Sequence, residues 1–179
     1  MRVLKISLQF AAFITMFLVM ACTSASTTKF TTIWKDQAYQ VKPEKILVIS
    51  SFQNPYRWTL EDQLVRALKN RGIDAVMSIN VMPDISARVL IDKDAIAAKA
   101  KEVGADTVLI NGPVNRSPSG TAHTDKPINT QTDIFDMKSN RFIMSISAET
   151  WVRNGIPYAI LVQDYVKDLV NKLSQLGLF

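Results

Sequence analysis

A chain of 179 residues with one histidine and one cysteine offers few starting points for chemistry. Zinc and haem-type sites need clustered imidazole, thiolate or carboxylate ligands. With only His123 and Cys22 to draw on, the composition predicts no such metal and no cofactor. Carboxylate-only binding of Ca²⁺ stays open, although no EF-hand loop is present. A serine nucleophile would need a histidine base. Ser50 and Ser51 close an apolar run, at the kind of strand end where open α/β sheets bind ligands, and His123 is the one base that could reach them. The run lacks a G-x-S-x-G elbow, and the loop SSFQNPYRWT has no glycine to bring backbone N–H groups up to a phosphate. The expectation is a protein that is not an enzyme. That same loop holds Phe52, Asn54, Tyr56, Arg57 and Trp58, a mixture enriched at binding hot spots, and these residues form the candidate interaction surface. The competing reading is structural: the aromatics cap the sheet edge and Arg57 pairs with a nearby carboxylate.

The elements that must position this loop follow from periodicity. Ile46 to Ser50 (ILVIS) is a continuous β-branched run suited to a central strand covered on both faces. Leu60, Leu64 and Leu68 predict a helix with Thr59 as N-cap and Gly72 as its stop. Ala75 to Val81 predicts a second strand, Asp92 or Asp94 caps a second helix ending at Gly104, and Thr107 to Asn111 (TVLIN) repeats the buried-strand pattern ahead of Gly112-Pro113. This order predicts a βαβαβ unit with parallel pairing. Asn115 to Lys126 reads as an exposed loop. Thr132 to Met137 and Arg141 to Val152 then predict an antiparallel hairpin, with Phe142, Met144, Ile146 and Ala148 sharing its apolar face. Pro157 opens a long amphipathic helix closed by Gly177. The fold class expected is α/β, passing to α+β in the C-terminal half, with the last helix packed on a mixed sheet.

The N-terminus predicts location. Arg2 and Lys5 precede the twelve-residue run FAAFITMFLVMA, which is shorter than the roughly twenty apolar residues of a spanning helix and fits a signal-peptide core. It ends in Val19-Met20-Ala21-Cys22, which resembles the lipobox of bacterial lipoproteins. That resemblance implies cleavage between Ala21 and Cys22, a diacylglyceryl group on the thiol and acylation of the new amino group. One acyl chain binds a bilayer only marginally and two or more hold firmly. The expected organisation is a signal peptide over 1–21, a lipidated flexible tether over 22–32, and a single domain over 33–179. Thr23 stands where an Asp would favour inner-membrane retention in enterobacteria, so the resemblance implies the periplasmic face of the outer membrane. The formal charge of +5, of which Arg2 and Lys5 supply two, forms no basic stripe, and no nucleic-acid partner is expected.

From Trp34-Lys35-Asp36 through Asn54 to Leu64, Gly104-Ala105-Asp106 and the hairpin near Trp151, the chain resembles a group of uncharacterised bacterial lipoproteins. Their domain is similar in turn to the α/β domain of curli-secretion-type lipoproteins and of lipoprotein activators of penicillin-binding proteins. The resemblance implies a non-enzymatic scaffold presenting a surface to an envelope protein in assembly, secretion or cell-wall work. The alternative is a small-ligand binder or weak hydrolase using the carboxyl ends of the first and third predicted strands.

Overall fold

The computed structural model describes residues 28–82, 92–114, 127–151 and 157–179. Ala21, Cys22 and His123 lie outside them. The described elements are β1 (Thr28–Lys35), β2 (Lys45–Ser50), α1 (Tyr56–Lys69), β3 (Asp74–Met77), α2 (Lys93–Glu102), β4 (Thr107–Pro113), β5 (Ile128–Asp136), β6 (Arg141–Thr150) and α3 (Tyr158–Gln175). They build one six-stranded sheet in the order β1-β6-β5-β4-β2-β3. β2 pairs in parallel with β3 and β4, and the remaining pairs are antiparallel. The mixed sheet, its parallel unit, the hairpin and the long C-terminal helix agree with the fold class expected from the sequence.

The apolar stripes of α1 (Leu60, Leu64, Leu68) and α3 (Val162, Val166, Leu169, Leu173) lie side by side on one face of the sheet, over Ile46, Val48, Leu109, Ile134, Met144 and Ile146. On the other face α2 sets Ile96 and Ala100 against Leu47, Ile49 and Val108. Its N-terminus is capped as expected by Asp92, whose carboxylate accepts the N–H groups of Asp94 and Ala95. Gly72 and Gly104 end their helices at positive φ, a conformation open to glycine at little cost.

Four local expectations differ from what is found. β1 begins at Thr28, inside the stretch whose Ser/Thr content reads as tether; its β-branched residues pair with β6, more than a hundred residues away. α1 starts at Tyr56, after Pro55, and Thr59 lies inside its first turn, its hydroxyl bonded back to the Pro55 carbonyl. β3 stops at Met77, and Ser78–Asn80 turn as a short 3₁₀ segment around a buried carboxylate. In β6 the pairing slips: Ile134 faces Met144 but Phe135 faces Phe142, so Ile143 is the extra residue of a bulge. A one-residue slip exchanges the faces of a strand. Ile143 is consequently buried, and Phe142 leaves the face it was expected to share with Met144.

Candidate functional site

The carboxyl ends of β2 and β4 are where a ligand was sought, and buried polar side chains close both. Glu61, fully buried on α1, reaches back to the end of β2. Its Oε1 accepts the Ser50 N–H at 3.0 Å, Arg57 Nε at 3.0 Å and Ser78 Oγ at 2.6 Å, while its Oε2 accepts the Ile79 N–H at 2.9 Å. Arg57 is only 4% exposed and also donates to Ser78 Oγ at 2.9 Å and to the Met82 carbonyl at 2.8 Å. One ion pair therefore ties α1, the end of β2 and the turn after β3 together. Such a pair is tolerated in a dry site because the hydrogen-bonding capacity of both partners is used.

Beside it, Asn111 at the end of β4 donates from Nδ2 to Thr132 Oγ1 at 2.7 Å and to the Tyr165 hydroxyl at 2.6 Å, and Thr130 Oγ1 lies 3.1 Å from the same hydroxyl. Burial pushes the Tyr165 phenol up, against the lowering effect of its hydrogen-bond partners. The Ser51 N–H donates to the Asn111 carbonyl at 2.8 Å, and Ser51 packs so closely on Gly112 that a Cβ there would lie 1.6 Å from Ser51 Oγ. Among the described residues the ends of the first and third predicted strands are thus packed directly against each other. A shallow, open depression of about 240 Å³ lies elsewhere, toward β1, among Thr32, Asn129, Ser147 and Glu149.

The five residues of the candidate surface separate. Arg57 belongs to the interior, Phe52 is half-buried against the core, and Asn54, Tyr56 and Trp58 face solvent. The Tyr56 ring meets Tyr158 of α3 edge-on at 4.4 Å, and burial raises the Tyr158 pKa far above its ordinary value. Sequence reasoning missed a second exposed cluster. Trp34 of β1 stacks on Phe142 at 5.0 Å with nearly parallel rings, and Phe142 touches Phe135 at 5.1 Å. These rings lie on the sheet face opposite α1 and α3, beyond α2, where no described element covers β5, β6 and β1. The β6 bulge turns Phe142 onto this face. No simple alternation in the sequence marks it.

No family model matches the chain, and no curated protein matches it. Solved structures do. The chain is distantly similar in structure to solved bacterial proteins, a lipoprotein among them. Lipoprotein GNA1162 from Neisseria meningitidis superposes with a TM-score of 0.50 at 16% identity, over 74% of this chain and 97% of that one. The PelC dodecamer from Paraburkholderia phytofirmans gives 0.48 at 16% identity, over 80% and 94%. At these identities the likeness concerns the fold.

Among the described residues no three His, Cys, Asp or Glu side chains gather as metal ligands would. No helix among them is long and apolar enough to cross a membrane.

Proposed function

We propose that this protein is a lipid-anchored, non-enzymatic lipoprotein of the bacterial envelope, held through acyl chains on Cys22 at the periplasmic face of the outer membrane. Its role is to present the sheet face around Trp34, Phe142 and Phe135, which no described element covers, to a protein partner in assembly, secretion or cell-wall work. The observation that carries this reading is the contrast between two parts of the sheet. The strand ends that would house chemistry are filled by Glu61, Arg57, Asn111 and Tyr165, while stacked aromatic rings stand in solvent on the open face. Exposed aromatic clusters of this kind mark interaction sites. The lipobox-like segment and the likeness in fold to a Neisseria lipoprotein support the anchoring.

The test is site-specific photocrosslinking in the native envelope, with the reactive residue at position 34 and a control at exposed position 66 on α1. A discrete protein adduct from position 34 alone is expected. Recovery from position 34 of only lipid, or of the same bystanders as from position 66, would refute the partner surface.

A further inference from the structure

The two ends of the sheet differ in character. At one end β1 begins, β2 and β4 finish and β6 finishes, as the pairs Thr28 with Thr150 and Ser50 with Asn111 show. Both α1 and α3 start at this end. Large exposed apolar side chains gather there: Tyr56 and Trp58 in the first turn of α1, Ile160 in the first turn of α3, Trp151 directly after β6 and Val114 directly after β4. Trp58 and Trp151 are 53% and 48% exposed. Among the described residues the opposite end carries the exposed ion pairs Lys45 with Asp74, Lys138 with Glu44 and Asp106, and Arg141 with Asp36, with Val41 the exposed apolar side chain beside them, while α2 opens at the aromatic end with the exposed Asp92, Lys93 and Asp94.

The chain leaves toward its N-terminus from the aromatic end. Five residues, 23–27, separate Cys22 from Thr28, and a fully extended chain of that length spans at most about 20 Å. Tryptophan and tyrosine suit the membrane–water interface because they join a large apolar ring to a polar N–H or O–H. We propose that this end of the domain seats on the bilayer, with Trp58, Trp151, Tyr56 and Ile160 at the level of the lipid headgroups. The inference rests on the acylation of Cys22 proposed above. It gives the domain a fixed orientation: the strands run away from the membrane, the ion-paired end points into the periplasm, and Trp34 lies about 20 Å farther along β1 from Thr28.

The experiment uses the full mature protein purified from membranes and reconstituted into phosphatidylethanolamine–phosphatidylglycerol vesicles, with plain or brominated acyl chains. Three variants each keep one tryptophan and carry Trp→Phe at the other two positions. Brominated lipid is expected to quench the Trp58-only and Trp151-only proteins and to leave the Trp34-only protein unchanged. If a variant does not fold, the unaltered protein serves, with hydrogen exchange slowed by vesicles over Tyr56–Leu60 and Tyr158–Val162 but not at the Lys138–Arg141 turn. The mass of each sample reports its acylation. An acylated protein showing no quenching at Trp58 and Trp151, or equal quenching of all three tryptophans, overturns the seating and leaves the anchor standing. An unmodified Cys22 overturns both.

Discussion

Replacing Glu61 by Leu removes the acceptor of four hydrogen bonds from a site with no access to water. The guanidinium of Arg57 stays behind in its buried place, where Ser78 Oγ and the Met82 carbonyl still accept from it but the Glu61 carboxylate no longer does. Breaking a buried pair from one side costs about 3–5 kcal/mol. For a domain of this size each kcal/mol lowers Tm by about 2–4 °C, so the loss is about 6–20 °C. Glu61→Leu combined with Arg57→Met removes the buried guanidinium as well and is expected to cost less than the sum of the two single changes. It does not return to the native value, because the Ser50 and Ile79 N–H groups still lack an acceptor, at about 1–3 kcal/mol each. Urea unfolding of the four proteins, followed by circular dichroism, gives the coupling directly. A Glu61→Leu cost below about 1 kcal/mol, within the range of surface pairs, would refute the claim that this ion pair seals the strand end.

Gly112→Ala is expected to destabilise by about 1–3 kcal/mol, because its Cβ would meet Ser51 Oγ; adding Ser51→Gly should recover part of the loss in the same unfolding assay. Burial works to raise the Asp106 pKa, but the N–H groups of Glu44 and Lys45, the Thr107 hydroxyl and Lys138 outweigh it, so the carboxyl sits below its ordinary 3.8. A depressed carboxyl contributes stability above its unfolded value that is lost as pH falls through the folded one. Stability measured downward from pH 5 is therefore expected to fall less steeply in Asp106→Asn than in the native chain.

The helices and central strands were legible because their signals are local. The leucine spacing of α1, the stripe of α3 and the runs ILVIS and TVLIN each fix an element without knowledge of the rest. What was not legible depends on distant partners. TKFTTIWK is a strand because β6 offers an edge to it, and nothing within the segment separates it from a Ser/Thr-rich tether. The sequence places Arg57 on the candidate surface, but the competing reading, that it pairs with a nearby carboxylate, is the one found; Glu61 four residues on was the local hint, at a spacing equally common on exposed helix faces. The aromatic stack was hidden by the bulge, since strict alternation puts Phe142 on the buried face with Met144. Asn54, Tyr56 and Trp58 do face solvent, but Tyr56 and Trp58 stand in the first turn of α1 and not in the loop that the sequence suggested.

The anchor underlies both the function and the orientation proposed, and one measurement reaches it directly: the intact mass of the protein extracted from its native membranes. The account predicts a chain beginning at Cys22 and heavier than the bare polypeptide by its acyl groups. A chain beginning at another residue, or one beginning at Cys22 with a free thiol, would contradict it.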